Sequence, residues 1–171
     1  MLFRSILFNS LQAQGGYHLT RAMKVSTYMI AFACFLGMDE GAIERAGMVG
    51  LLQDVGMLKV PEAIREKKGR LTAPELEAVR AHVRLTVEQL RATPGLAAEV
   101  ADVAALHHER HDGSGYPLGK KGAQLGVLGA IAGIVDVFDA LTTERPYAAA
   151  MSPSNALNFL TKLKEIGRAH V

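Results

Sequence analysis

Apolar positions recur at helical spacing along almost the whole chain. Leu2, Phe3, Ile6, Leu7 and Leu11 mark a first helix, ended by Gly15-Gly16. From Tyr17 to Leu36 the apolar residues Met23, Val25, Met29, Ile30, Ala33 and Phe35 lie on most sides, which predicts a buried central helix stopped by Gly37. Asp39 can cap a third helix bearing Ile43, Ala46, Met48, Val49, Leu51 and Leu52, whose C-terminal end delivers Gln53-Asp54-Val55-Gly56. Val60-Pro61 breaks the pattern, and the charged stretch from Glu62 to Arg70 reads as a solvated connector with a short helical turn.

Thr72 with Glu75 forms a capping box, opening a helix from Ala73 to about Ala92 with the stripe Leu76, Val79, Val83, Val87 and Leu90, and with His82 beside it. After Pro94-Gly95, Leu96 to Glu109 predicts a further helix that places His107 on its buried side with Val100, Val103 and Ala104. Leu125 to Thr143 is strongly apolar yet carries Asp136 and Asp139 one turn apart. Ser152-Pro153-Ser154 opens a last helix through Lys164, with Ala156, Phe159, Leu160 and Leu163 inward. With no alternating strand pattern in competition, the fold class is all-α, and the chain reads as one domain over 1–171.

Composition narrows this picture. A hydrophobic share of 49% in 171 residues suffices for one sizeable core. A net charge of +2 provides no global field for a polyanion, so DNA is not an expected partner and any nucleotide binding is local. Cys34 is the only cysteine, which excludes an internal disulfide, and its apolar surroundings predict an inert core thiol in a reducing compartment. The apolar runs Tyr28 to Met38 and Leu125 to Val135 are too short for a membrane span, and the start of the chain lacks a signal-peptide pattern. The expectation is a cytoplasmic domain, consistent with a piece of a longer signalling protein.

The densest chemistry is the run His107-His108-Glu109-Arg110-His111-Asp112-Gly113-Ser114-Gly115-Tyr116-Pro117. Adjacent imidazoles at a helix end, followed by a Gly-rich turn, offer metal ligands and a loop able to approach a ligand closely. Taken singly, the residues have plainer readings: His82 as a core or boundary histidine, Glu109 with Arg110 as an ion pair fixing the helix end, Asp136 paired to Arg145, and His111 and His170 as surface residues.

Taken together, Gln53-Asp54, His82, the His107 to Pro117 run, Asp136-Val137-Phe138-Asp139-Ala140-Leu141 and Arg145-Pro146-Tyr147 resemble the HD-GYP family of HD phosphohydrolases over about Arg21 to Tyr147. The resemblance implies a bundle of about seven helices with a Gly-Tyr-Pro loop. It also implies a two-metal or three-metal centre, commonly iron, that hydrolyses cyclic di-GMP to a linear dinucleotide or GMP through attack of a metal-activated water on phosphorus. Carried onto this sequence, it implies Asp54, His82, His107, His108 and Asp136 as metal ligands, with Asp54 bridging and catalytic, and Arg145, Tyr116, Gly115 and Lys120 on the substrate. Asp139 would have a structural role, hydrogen-bonding near the Gly-Tyr-Pro loop.

The departures from the family pattern fall on one side of that centre. Gln53 stands where the family has the histidine of its His-Asp pair, and Arg21, which has no lone pair to offer a metal, stands where another histidine ligand is expected. Met57 and Ala148 replace basic residues. A full binuclear centre is therefore not expected; one transition metal ion (iron, manganese or zinc), or none, is. The fixed charge of Arg21 is expected to fill the vacated metal position and pair with Asp54 and Asp136. The expected function is in cyclic di-GMP signalling, as a nucleotide sensor or a protein-interaction module with lost or weak hydrolysis. Its partners would be cyclic di-GMP or a related nucleotide and a signalling protein reached through the Gly-Tyr-Pro loop. The alternative is an active phosphodiesterase whose centre is rebuilt with His18 and the Gln53 amide oxygen.

Overall fold

Two glycines set how the first helices meet. The computed structural model describes residues 15–144 and 149–166, with side chains described over 18–144 and 149–162. The expected helix Leu2 to Gln14, the segment Arg145-Pro146-Tyr147-Ala148, Leu163, Lys164 and His170 lie outside these described residues or side chains.

Helix α1 (Gly15–Phe35) buries Val25, Met29 and Ala33, and α2 (Glu40–Leu52) begins at Asp39, whose side chain accepts from the Ala42 amide. A Cβ on Gly50 would lie 2.6 Å from the Ser26 Cα, and one on Gly47 would lie 2.9 Å from Ile30, so the two helices touch nearly backbone to backbone. Ser26 Oγ seals the contact by donating to the Gly47 carbonyl at 2.8 Å.

A 3-10 turn (Val55–Lys59) and the one-turn α3 (Glu62–Arg65) lead to α4 (Ala73–Arg80), α5 (His82–Arg91) and α6 (Ala98–Ala104). A second 3-10 turn (Gly122–Leu125) precedes α7 (Gly126–Thr142), and α8 (Pro153–Ile166) packs on α7 through the fully buried Ala156. Val25, Met29, Val49, Leu52, Val55, Leu90, Val100, Ala104, Ile131 and Val135 form one core between α1, α2, α5, α6 and α7. No strand occurs among the described residues, and the all-α class holds.

Four expectations are corrected. The helix expected over Ala73 to Ala92 bends at Ala81, where the His82 ring takes the Val79 carbonyl that residue 83 would use in an unbroken helix. The helix expected to reach Glu109 ends at Ala104, leaving His107 and His108 in the turn that follows. In α1, Met23, Ile30, Cys34 and Phe35 face outward, because only one side of that apolar helix is covered, so Cys34 is not core. Finally, the apolar helix continues past Val135, and Gly122–Thr142 is by length and composition long enough to cross a membrane. Its inner side carries the buried acids Asp136 and Asp139 against basic residues of α1, the pattern of a central helix in this bundle.

Candidate metal centre

Asp54 follows directly on α2, in a loop pinned to α5. Thr86 Oγ1, fully buried, accepts from the Gly56 amide at 2.9 Å and donates to the Gln53 carbonyl at 3.1 Å. The approach is so close that a Cβ on Gly56 would sit 2.2 Å from the His82 carbonyl oxygen. The carboxylate at the end of α2 is thereby locked beside the imidazole at the start of α5.

His82 and His107 are presented in the same way. Each ring places Nδ1 2.6 Å from the carbonyl three residues upstream, that of Val79 for His82 and that of Ala104 for His107. A carbonyl only accepts, so Nδ1 carries a proton in both rings, which leaves Nε2 as the only nitrogen of each ring that can offer a lone pair. The two Nε2 atoms lie 3.3 Å apart, at 3.3 Å and 3.6 Å from Asp54 Oδ1. Two lone pairs and a carboxylate oxygen repel one another unless a cation or a proton lies among them. Metal–nitrogen bonds of about 2.0–2.1 Å put ligand atoms roughly 3 Å apart, so the donors fit a transition metal in both type and spacing.

With His108 added, four ligand atoms from Asp54, His82, His107 and His108 lie within 4.8 Å of one another. The electrostatics agree with the geometry. Burial opposes charge on Asp54, but the Arg21 guanidinium and the two imidazoles hold its carboxyl well below the usual range. Burial likewise opposes protonation of His107, yet its hydrogen bond and attraction to Asp54 raise its pKa. His108 is pushed down to about 2, chiefly by burial and then by His107. Its ring is held neutral.

The neighbouring volume belongs to Arg21. Its Nη1 donates to Asp54 Oδ2, its Nη2 to Asp136 Oδ1 at 2.6 Å and its Nε to Asp139 Oδ2 at 3.0 Å. The guanidinium therefore does point at Asp54 and Asp136, and Asp139 is a third partner. Lys24, one turn on, adds its Nζ to Asp139 Oδ1 at 2.7 Å and to Thr143 Oγ1 at 2.6 Å. Asp139 thus serves α1 rather than the Gly-Tyr-Pro loop, because the inner side of α7 faces α1. Asp136 remains with Arg21, outside the four-residue cluster, and burial raises its pKa despite the guanidinium. Gln53 is almost fully buried, and neither amide atom has a hydrogen-bond partner. His18 lines a pocket with Arg21, Asp54, Gly50 and Leu51 on the open side of this ion pair.

The Gly-Tyr-Pro loop folds back onto the histidines. A Cβ on Gly115 would lie 2.4 Å from the Arg110 amide nitrogen, so the loop presses against the backbone of residues 108–110. The Tyr116 amide donates to the His108 carbonyl at 3.2 Å, and its ring stacks on His108 with centroids 4.8 Å apart. Glu109 turns to the loop, Oε1 accepting from the Leu118 amide at 2.6 Å, while Arg110 Nη2 is buried without a hydrogen-bond partner; the expected Glu109–Arg110 pair is corrected accordingly. Lys120 is half-buried in the turn beyond the loop, and Arg145 lies outside the described residues. Sequence reasoning missed Lys24, Thr86 and the Asp139 partnership. The spacing of Arg21 with Lys24, and of Asp136 with Asp139, was the available signal.

The profile of the HD-domain family matches residues 2–168. The chain belongs to the HD-domain family. The chain is 36% identical over 147 residues to a cyclic di-GMP phosphodiesterase of Pseudomonas aeruginosa, covering 86% of this chain and 36% of the relative. It is 36% identical over 126 residues to a cyclic di-GMP phosphodiesterase response regulator of Xanthomonas campestris pv. campestris, covering 73% and 33%. To 3'3'-cGAMP-specific phosphodiesterase 1 of Vibrio cholerae it is 32% identical over 168 residues, covering 98% and 39%. This HD domain spans about a third of the length of these curated relatives. The relatives and the Gly-Tyr-Pro loop together put it in the HD-GYP branch. HD domains are metal-dependent, and among the described residues Asp54, His82, His107 and His108 form a group that could hold a metal ion.

Proposed function

We propose that this HD domain binds a cyclic dinucleotide, cyclic di-GMP or its relative 3'3'-cGAMP, at a site with one transition metal, and that it acts as a nucleotide sensor or protein-interaction module with little or no hydrolysis. Support comes above all from Arg21, whose guanidinium engages Asp54, Asp136 and Asp139 at once. A second metal would have to displace a permanently charged group from three carboxylates.

In this reading His82, His107, His108 and Asp54 hold the metal, which when bound supplies Lewis acidity toward a phosphoryl oxygen. The carbonyls of Val79 and Ala104 fix the tautomers of the first two rings, and Thr86 keeps Asp54 in reach. Arg21 and Lys24 offset the charge of the acids without offering a ligand. Arg145, Tyr116, Gly115 and Lys120 remain the proposed substrate contacts, and a signalling protein bound at the Gly-Tyr-Pro loop remains the proposed macromolecular partner.

The alternative, an active phosphodiesterase with a rebuilt centre, has one observation in its favour: His18 and Asp54 line the same pocket. It requires Arg21 to leave that pocket.

Metal analysis of protein purified without oxygen, with binding and turnover of both cyclic dinucleotides measured in parallel, tests the proposal. The expected result is at most one metal per chain, nucleotide binding and little turnover. Replacing Arg21→His together with Gln53→His should raise metal content and produce hydrolysis. Two metals with brisk turnover in the parent protein would overturn the proposal, and binding of neither metal nor nucleotide would leave only the interaction module.

A further inference from the structure

His82 and His107 each have Nδ1 tied to a backbone carbonyl, whereas His108 is held differently. Its Nδ1 lies 3.4 Å from Asp136 Oδ2, and the Arg21 guanidinium already claims the other oxygen of that carboxylate. The His107 ring lies tilted beside it with centroids 4.1 Å apart, and the one ring stacked on it is Tyr116, at an interplanar angle of 25°. Tyr116 in turn carries the Arg80 guanidinium over its ring, 5.2 Å from the centroid. Arg80 is the last residue of α4, two positions before His82. The bend at Ala81 therefore delivers one side chain into the cluster and the other onto the loop beside it.

We propose that Arg80 is a positioning residue which, through Tyr116, fixes the ring plane of His108 toward Asp54, His82 and His107. The inference builds on the reading of that cluster as a metal site. A ligand imidazole without a directional hydrogen bond needs another source of orientation, and a stacked aromatic ring held by a cation provides one. The ion pair of Arg80 with Glu77 at 2.9 Å steadies the guanidinium from the solvent side. A surface arginine could make that pair without lying over the phenol. The Tyr116 ring is thereby already engaged within the protein, so its stacking serves the ligand set before it serves a nucleobase.

The experiment compares the full chain with Arg80→Ala, Arg80→Lys and Tyr116→Leu by two readouts. Cobalt(II) titration followed by visible absorption reads the metal site. Side-chain nitrogen NMR of the histidines in metal-free protein reads ring order directly. Arg80→Ala and Tyr116→Leu should each weaken cobalt binding about 10-fold, the usual consequence of losing an outer partner of a ligand. Both should also average the tautomer signals of His108 while leaving those of His82 and His107 unchanged. Arg80→Lys should restore most of both, because a cation over the ring is retained. Unchanged His108 signals in Arg80→Ala, or equal disturbance of all three histidines, would overturn the proposal. If the parent chain binds no cobalt, the metal reading falls, and the imidazole signals decide the role of Arg80 independently.

Discussion

His82 Nε2 faces His107 Nε2 at 3.3 Å, and neither ring can turn away without breaking the bond from Nδ1 to its own carbonyl. Two imidazoles so fixed are placed to share a metal or a proton. Since ligands bind in their deprotonated forms and the pKa of His107 is raised, metal affinity should fall as the pH drops through that raised value. Cobalt titrations at pH 8 and pH 6 test this, with tighter binding expected at pH 8. At a hundred times Kd the metal should stabilise the fold by about 2.7 kcal/mol in urea titrations, and His82→Ala should abolish the gain.

Arg21→Met removes the shared partner of three buried or partly buried carboxylates, and should cost roughly 3–5 kcal/mol at pH 7. The sign with pH follows from Asp54. Its folded pKa is depressed, so its contribution is present above the ordinary value of 3.8 and is lost as the pH falls through the depressed value. The stability difference between parent and variant should therefore shrink in acid, a trend that urea titrations from pH 7 to pH 2 would reveal or refute.

Thr86→Val keeps the shape of a fully buried side chain but strands the Gly56 amide and the Gln53 carbonyl. A loss of about 1–3 kcal/mol is expected by chemical denaturation. Metal affinity should drop with it, because the same hydroxyl holds the Asp54 loop to the helix bearing His82.

Gly115→Ala inserts a methyl group into the backbone of residues 108–110. The loop must lift away, at a cost of about 1–3 kcal/mol or more. The His108–Tyr116 stack should be lost with it, visible as changed Tyr116 ring shifts in NMR spectra, while Gly113→Ala would disturb the histidines less.

Much of the site could be read from residue types and order. Asp54, His82, His107 and His108 carry the family resemblance, and Arg21 could be assigned to Asp54 and Asp136 because a guanidinium cannot ligate but can neutralise. What could not be read has a physical reason in each case. The periodicity of apolar residues runs smoothly through Ala81 with no glycine or proline, since the bend there is made by a side chain bonding a carbonyl. The end of α6 before His107 is hidden in the same way. Cys34 and Phe35 lie in a segment apolar on most sides, and such a segment does not reveal which side its neighbours cover. Lys24 looked like an ordinary surface cation until α7 placed Asp139 and Thr143 beside it.

Arg21 changes how this site depends on its surroundings. A metal must be acquired from the cell, competes with other ions, and, if it is iron, changes charge with oxidation. A guanidinium is made with the chain, cannot be chelated away and does not alter with redox state. In the proposed reading, one half of the site is therefore supplied in full with every copy synthesised, and only the histidine half depends on an ion taken from the cell.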